Sequence, residues 1–295
     1  MSAKDLKASL LELVRRTSCD LPPDVEKVLL KSLKREEKKT TARYALDVIK
    51  QNLNLARTNS KPICQDTGTI IFYVMTPSGF DEKAFRKAAD LAVKEATAIG
   101  YLRQNSVDSL TGKNSGTNLG PGSPVYHFEQ WGKKSIEIKL VLKGGGCENV
   151  GAQYSLPNTT LGAGRDIAGV EKCILDAVHK AQGKGCAPGA LGICIGGDRA
   201  TGYNNSKEQL LRTLDDKNED KALARLESRV MKKANGLGIG PMGFGGKTTL
   251  LGCKIGALNR LPASYFVSIS YMCWAFRRRG CVINSAGKVT KWLYE

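Results

Sequence analysis

The chain has 295 residues and a formal net charge of +17, and apolar residues make up 41% of it. This composition is typical of an ordinary globular protein and argues against disorder as the main state. No apolar run reaches the about 18 residues that a membrane span requires, and the N-terminus shows neither a signal-type apolar core nor a transit-peptide pattern. These features predict a soluble, cytoplasmic protein that does not act at a membrane.

The positive charge is spread along the whole chain rather than concentrated. Its densest runs are residues 34–39, which also hold two acids, and residues 277–279. A nucleic-acid binder would concentrate such charge in a stripe, often with interleaved aromatic residues. Dispersed charge favours a solvated surface, an acidic partner subunit or the attraction of a dianionic substrate. We therefore expect no nucleic-acid partner.

Helical periodicity dominates the first hundred residues. Apolar residues recur at helical spacing in the segments 6–14 and 44–56. A third helix is predicted over 81–99, with Asp81 as its N-cap and Gly100 as its stop. A short β-like run at 69–75 lies between the second and the third of these helices.

From about residue 112 the pattern changes to strands separated by glycine-rich turns. Alternating or continuous apolar runs predict strands at 135–142, 191–195, 250–255 and 265–272. Helical patterns return at 170–182 and 207–234. No fixed-period repeat and no linker-like segment divides the chain. The sequence therefore predicts a mixed α/β (α+β) fold, with a single intertwined domain and a helical N-terminal part.

The nine cysteines lie singly, without any CxxC pair. In a chain without a secretion signal, this spacing argues against a disulfide framework and against a finger-type zinc site. Most free cysteines inside proteins pack as small hydrophobic residues. Only the local sequence around a cysteine can indicate a chemical role.

Three cysteines have local sequences that favour chemistry over packing. Cys64 lies in the turn PICQDTG, beside Gln65 and Asp66. Cys186 lies in the loop GCAPG, and Cys273 follows an apolar strand. Thiolates from three separate loops can hold three irons of a cubane cluster and leave the fourth iron open as a Lewis acid.

The glycine-rich runs leave several interpretations open. KGGG at 143–146 ends a predicted strand, where it is either an anion nest facing a carboxylate or only a tight turn. GIGPMG at 238–243 satisfies the dinucleotide pattern but follows a helix instead of a strand. GGKT at 245–248 imitates the end of a P-loop, but Pro241 stands where the first glycine should be. The context therefore disfavours both nucleotide interpretations.

Jointly and in this order, the motifs resemble the α-type catalytic domain of the class I fumarases and L-tartrate dehydratases. The matching stretches are PICQDTG at 62–68, KGGG at 143–146, Gly185-Cys186 with IGG at 195–197, residues 238–249 and Cys273. The resemblance extends from about residue 30 to residue 280. It implies an N-terminal helical segment at 1–30, an iron–sulfur hydro-lyase catalytic domain at 30–280 and a C-terminal tail at 281–295.

The resemblance also implies a cofactor and an activity. Cys64, Cys186 and Cys273 would ligate a [4Fe–4S] cluster whose open iron binds a carboxylate and a hydroxyl of the substrate. The implied reaction is the reversible hydration of fumarate to malate. The alternatives are L-tartrate dehydration, or a non-catalytic cluster protein that serves as a sensor or binding module.

The substrate contacts that the resemblance implies are Gln65, Asp66, Arg103, and Gly145 or Gly146. Asp66 is also a candidate for proton transfer. Arg103 is chemically suited to its place, because a guanidinium can clamp a carboxylate with two hydrogen bonds. Abstraction of the carbon-bound proton still needs a base, which in this family comes from the β part.

Two departures from the family pattern limit the prediction. Leu261 stands where many relatives carry a histidine, which leaves the choice between fumarate and its analogues open. The chain ends at Glu295, without the β domain of single-chain relatives. The resemblance then implies a separate β subunit, in an α2β2-like assembly or with a homodimer of α chains.

Overall fold

The computed structural model describes residues 2–295. Its helices are α1 (Ala3–Cys19), α2 (Pro23–Arg35), α3 (Thr41–Asn59), α4 (Glu82–Ala98), α5 (Gly145–Asn149), α6 (Ile167–Ala181), α7 (Arg199–Gln209) and α8 (Lys221–Gly236). Its strands are β1 (Thr69–Thr76), β2 (Val125–Gln130), β3 (Ile136–Lys143), β4 (Ala152–Ser155), β5 (Gly189–Ile195), β6 (Leu250–Ala257), β7 (Phe266–Met272), β8 (Arg277–Ile283) and β9 (Val289–Leu293). None of the helices within this range combines the length and the apolar character that crossing a bilayer requires.

The predicted mixed α/β class is confirmed. The described residues form a five-stranded sheet, in the order β2-β1-β3-β8-β9, and a four-stranded sheet, in the order β4-β7-β5-β6. Each sheet mixes parallel and antiparallel pairs. The chain divides into two compact units made of discontinuous segments: unit 1 holds residues 2–23, 51–145 and 277–295, and unit 2 holds residues 24–50 and 146–276.

Unit 1 contains the five-stranded sheet, with α1 and α4 in its core. Leu10, Phe72, Phe85 and Leu140 are fully buried there, so both helices bury apolar faces together with β1 and β3. The predicted N-cap of α4 is confirmed, because the Asp81 carboxylate accepts a hydrogen bond of 2.9 Å from a backbone N–H of the first turn.

Unit 2 contains the four-stranded sheet. Every residue of β5 is buried, and β5 pairs in parallel with β6 and antiparallel with β7. Its core includes the fully buried side chains of Val170 and Ile174 on α6 and of Leu226 and Val230 on α8. This explains why the sequence of β5 shows a continuous apolar run rather than an alternating pattern.

The structure differs from the sequence prediction in one helix. The segment predicted as a single helix over 207–234 contains the end of α7 and most of α8, separated by residues 210–220. Asp220 starts α8 as its N-cap, because its carboxylate accepts hydrogen bonds of 2.7 and 3.0 Å from the backbone N–H groups of Ala222 and Leu223. The aspartate favours the start of a new helix at this point, because its side chain satisfies backbone N–H groups that have no partner within the first turn.

The C-terminal residues take part in the five-stranded sheet. Residues 281–295, assigned to a tail, form the end of β8 and all of β9, and β9 pairs antiparallel with β8. The arginines at 277–279 lie on β8 and are 1%, 0% and 7% exposed. This dense charge run is therefore not part of a solvated surface, because β8 lies between β3 and β9 inside the sheet.

Candidate functional site

The PICQDTG turn leads directly into β1 and is held against the end of β3. Gly68 has a φ of +81°, and a Cβ atom there would lie 2.5 Å from the carbonyl carbon of Lys143. Both the left-handed backbone and the close approach require glycine. The pairing of Thr69 with Lys143 continues this contact into the sheet. The polar residues of the turn therefore lie next to the KGGG loop.

The Asp66 carboxylate bridges two loops of unit 1. Its Oδ2 accepts a hydrogen bond of 2.7 Å from the backbone N–H of Gly145, and its Oδ1 accepts one of 3.2 Å from the Asn105 amide. A Cβ atom on Gly144 would lie 2.9 Å from Oδ2, so this approach depends on glycine. The KGGG loop thus directs a backbone N–H at a carboxylate of the chain itself.

An open pocket of about 690 Å³ lies next to this carboxylate. It is lined by Gln65, Asp66, Thr97, Leu102, Arg103, Gln104 and Asn105. The side chains of Gln65 and Arg103 are exposed, whereas the main chain of Arg103 is fixed by a hydrogen bond of 2.7 Å from the Asn118 amide to its carbonyl oxygen. Three of the predicted substrate contacts therefore share one pocket.

The cysteines differ in exposure. Cys64 and Cys186 are partly exposed, and the others are buried. Among the buried ones, Cys273 keeps the largest exposed fraction, 7%. Burial raises the pKa of Cys194 to about 11 and that of Cys281 to about 12, so both stay protonated and inert at neutral pH. The three predicted ligands are the three most accessible cysteines.

Cys186 and Cys273 are brought together within unit 2. The backbone N–H of Trp274 donates a hydrogen bond of 3.2 Å to the carbonyl oxygen of Cys186. Cys186 itself has a φ of +52°, directly after a short 3₁₀ turn. A Cβ atom on the preceding Gly185 would lie 2.6 Å from the Tyr271 ring, so the loop packs closely on this ring. Cys64 belongs to unit 1.

A fourth cysteine contacts Cys273 and was missed by sequence reasoning. The Cys147 thiol on α5 accepts a hydrogen bond of 3.2 Å from the backbone N–H of Cys273. Cys147 is 2% exposed, so the contact is shielded from water. Its position immediately after the KGGG run was the available signal.

The chemistry of the predicted donor set suits an iron–sulfur cluster, because cysteine thiolates hold such clusters. Across residues 2–295, no three side chains of His, Cys, Asp or Glu are arranged as ligands of one ion. In a cubane each thiolate binds a different iron, so the sulfur atoms need not converge on one point. Cys64 and Cys186 lie in loops, and Cys273 lies at the end of a strand.

In the P-loop-like GGKT segment, a backbone N–H group binds a carboxylate of this chain. The backbone N–H of Lys247 donates to both carboxylate oxygens of Glu36, at 3.1 and 2.9 Å. Glu36 is 4% exposed. A buried carboxylate therefore takes the place that a phosphate would need. The GIGPMG segment follows α8, a helix, as the sequence indicated.

The remaining predicted positions lie in unit 2. A Cβ atom on Gly146 would lie 3.4 Å from the carbonyl oxygen of Lys184, an ordinary packing distance. Leu261 is 73% exposed, in the loop between β6 and β7. The guanidinium of Arg260 braces that loop by donating to the carbonyl oxygens of Leu261, Pro262 and Ser264.

Comparison with known proteins gives consistent matches. A model of the family described as fumarate hydratase (Fumerase) matches residues 7–282. The chain is 51% identical over 294 residues to "Putative fumarate hydratase class I" of Geobacillus stearothermophilus. The aligned residues make up 98% of this chain and 57% of that protein. The chain thus spans little more than half the length of that relative.

Two tartrate dehydratase subunits also match. "Putative L(+)-tartrate dehydratase subunit alpha" of Methanocaldococcus jannaschii is 34% identical over 91% of this chain and 94% of its own length. The "L(+)-tartrate dehydratase subunit alpha" of Escherichia coli K12 is 29% identical over 91% of this chain and 87% of its own length. From the extent of the family match and from these identities, the chain belongs to the fumarate hydratase (Fumerase) family.

Proposed function

We propose that this chain is the α part of a [4Fe–4S]-dependent hydro-lyase that reversibly hydrates fumarate to malate. The observation that carries the proposal is the shared pocket of Gln65, Asp66 and Arg103. An amide, a carboxylate and a guanidinium around an open pocket suit a small, polar dicarboxylate. A cluster sensor would need ligands but no such substrate contacts.

Cys64, Cys186 and Cys273 would hold the cluster. When bound, a cubane with one iron free of protein ligands supplies a Lewis acid that polarises the substrate hydroxyl as a leaving group. The buried Cys147 thiol helps to fix the position of Cys273, because it accepts a hydrogen bond from the Cys273 backbone N–H. The strongly desolvated cysteines within the strands contribute packing only.

The chain's own residues bind and orient the substrate. Arg103 is exposed and able to clamp a carboxylate with two hydrogen bonds. The Asp66 carboxylate is held between a backbone N–H and an amide, which fixes the position at which it exchanges a proton. A substrate carboxylate would compete with Asp66 for the backbone N–H of Gly145, with the N–H of Gly146 as the second candidate contact.

A β-type polypeptide is the proposed partner. Two relatives are named as α subunits of a tartrate dehydratase. We infer a β part that supplies the base for the carbon-bound proton, in an α2β2-like assembly or on a homodimer of α chains. The cytoplasm is the proposed location, and neither nucleic acid nor membrane is a proposed partner.

L-tartrate dehydration is the second candidate function. The tartrate dehydratase subunits among the relatives favour it. Leu261, where many relatives carry a histidine, leaves the choice between fumarate and its analogues open. The 51% identity to the class I fumarate hydratase favours fumarate. We therefore rank fumarate first.

The test is a direct comparison of substrates. The chain is reconstituted with iron and sulfide under anaerobic conditions and assembled with its β-type partner, and turnover of fumarate and of L-tartrate is measured. The proposal predicts a higher kcat/KM for fumarate. Preference for tartrate would establish the second candidate, and loading with a cluster but no turnover of either would favour the sensor.

A further inference from the structure

Arg277 is a buried arginine whose side chain contacts Asp66, a residue that lines the candidate pocket. It begins β8 and is 1% exposed. Its Nη1 donates a hydrogen bond of 2.7 Å to the main-chain carbonyl oxygen of Asp66, a residue 211 positions earlier in the chain. The contact is to the backbone, so it constrains where the Asp66 side chain starts.

The same guanidinium also lies beside the KGGG loop. A Cβ atom on Gly144 would lie 3.6 Å from Nη2 of Arg277 and 2.9 Å from Oδ2 of Asp66. The guanidinium and the carboxylate therefore approach Gly144 together. The guanidinium thus holds the Asp66 main chain and lies beside Gly144, next to both segments that meet at the Asp66–Gly145 hydrogen bond.

The hydrogen-bond partner of Arg277 distinguishes it from Arg279 on the same strand. The Nε of Arg277 is buried without a hydrogen-bond partner among residues 2–295, and the same is true of the Nε of Arg279. Desolvating a guanidinium without full pairing costs free energy, and a well-packed apolar residue would serve the core at least as well. The one strong contact that Arg277 makes is the one to Asp66.

Arg279, two residues further along β8, shows the contrasting arrangement. Its guanidinium donates to the carbonyl oxygens of Leu21 and Tyr294, both at 2.7 Å, and to the Asp20 carboxylate at 3.1 Å. These partners tie β8 to the end of α1 and to the C-terminal residues. Arg279 is thus a buried arginine of the same strand with a structural role.

We propose that Arg277 is a positioning residue of the substrate pocket. It acts through Asp66: it fixes the main chain there, and the Asp66 carboxylate is thereby aimed into the pocket and onto the backbone N–H of Gly145. The inference rests on the proposed function for the nature of the ligand, a dicarboxylate, but the local effect on the Asp66 loop does not depend on it.

The first test is hydrogen exchange measured by mass spectrometry in Arg277→Ala and Arg279→Ala. Loss of the Arg277 contact should raise exchange at residues 65–67 and at Gly145 by about tenfold or more, since one buried, charge-assisted hydrogen bond is removed. Arg279→Ala should raise exchange near Leu21 and β9 and leave residues 65–67 as in the wild type. Equal exchange at 65–67 in both variants, or no change in Arg277→Ala, would overturn the proposal.

The second test is the binding of L-malate to the cluster-loaded chain by isothermal titration calorimetry. We expect about tenfold to hundredfold weaker binding in Arg277→Ala, because small misplacements of binding groups have effects of this size, and wild-type binding in Arg279→Ala. Guanidinium chloride at low millimolar concentration should restore binding in Arg277→Ala, whereas sodium chloride should not. Binding unchanged by Arg277→Ala, or restored equally by either salt, would contradict the positioning role.

The two tests separate this proposal from the proposed function. A wild-type chain that binds no dicarboxylate would refute the proposed ligand, while the exchange experiment would still decide the role of Arg277. If Arg277→Ala does not fold, Arg277→Lys replaces it, because lysine keeps the charge but loses the planar fork of donors. Arg277→Lys should then show intermediate exchange at residues 65–67, and wild-type exchange there would overturn the proposal.

Discussion

Two glycine-rich loops of this chain each bind a carboxylate of the chain itself, and they differ in what can reach them. In the KGGG loop the backbone N–H of Gly145 binds Asp66, which lines an open pocket. In the GGKT loop the backbone N–H of Lys247 binds Glu36, which is 4% exposed. The local chemistry is the same. The GGKT loop also lines a pocket, of about 320 Å³, but the Glu36 carboxylate that its N–H binds is buried. The accessibility of the carboxylate makes the first loop a candidate site and the second a structural contact.

The cysteines also share one chemical group, a thiol, and differ in their exposure to solvent. Cys64 and Cys186 are partly exposed in loops, whereas Cys194 and Cys253 lie fully or almost fully buried on β5 and β6. Desolvation raises the pKa of both buried thiols, which disfavours the thiolate that binds iron. Accessibility therefore separates candidate ligands from packing residues of the same type.

The largest expected effect comes from the three candidate cluster ligands. Cys64→Ser, Cys186→Ser and Cys273→Ser should each abolish stable cluster binding, and with it activity, because a thiolate ligand is lost. Cys194→Ser and Cys253→Ser should keep the cluster. Iron and sulfide content after anaerobic reconstitution is the measurement. Full cluster content in Cys273→Ser, together with its loss in Cys253→Ser, would show that the third ligand is assigned to the wrong residue.

The paired carboxylates give the next effect. Asp66→Asn should lower kcat by about 10²–10⁴-fold, the range typical for loss of a proton-transfer group. Glu36→Gln should leave kcat within about threefold of the wild type, because its carboxylate only closes a buried loop. The measurement is kcat of both variants, from steady-state kinetics of the assembled enzyme. Similar losses of kcat in both variants would break the distinction between the two loops.

The sequence predicted most elements with strong periodicity and the positions with chemical motifs. It placed Gln65, Asp66 and Arg103 together through the family resemblance, and the structure puts them around one pocket. It missed the buried arginines of β8, because a run of charges is usually a solvated surface. It also missed the contact of Cys147 with Cys273, since a hydrogen bond between residues 126 positions apart leaves no local pattern.

The break between α7 and α8 was missed for a different reason. Residues 207–234 are compatible with one helix by periodicity, and only the capping contacts of Asp220 show where a new helix begins. Similarly, β9 is a short strand with a half-exposed sequence, and its place comes from pairing with β8. Such features depend on tertiary contacts more than on local propensity.

A smaller effect is expected at the rim of the pocket. Arg103→Ala should raise KM by about 10- to 100-fold with a modest change in kcat, because the guanidinium binds substrate and transition state alike. Arg260→Ala is a matched control: it removes an exposed arginine that only braces its own loop. Equal effects of the two substitutions on KM would argue against a specific clamp.

The smallest effect concerns stability. Glu36→Gln should lower the free energy of unfolding by about 1–3 kcal/mol, because a buried acceptor of the Lys247 N–H is replaced by a poorer, uncharged partner. Asp66→Asn should lower it less, because water can reach the polar groups that the carboxylate leaves. Chemical denaturation followed by circular dichroism measures both. A larger loss for Asp66→Asn would reverse the roles assigned to the two loops.

The most direct test of the central claim is the metal content of the chain after anaerobic reconstitution, combined with Mössbauer spectroscopy. The account predicts one cubane with about four irons and four sulfides per chain, in which one iron differs from the other three and is lost first on exposure to air. Stoichiometric zinc without iron, or a cluster with four equivalent irons that survives air, would contradict the account.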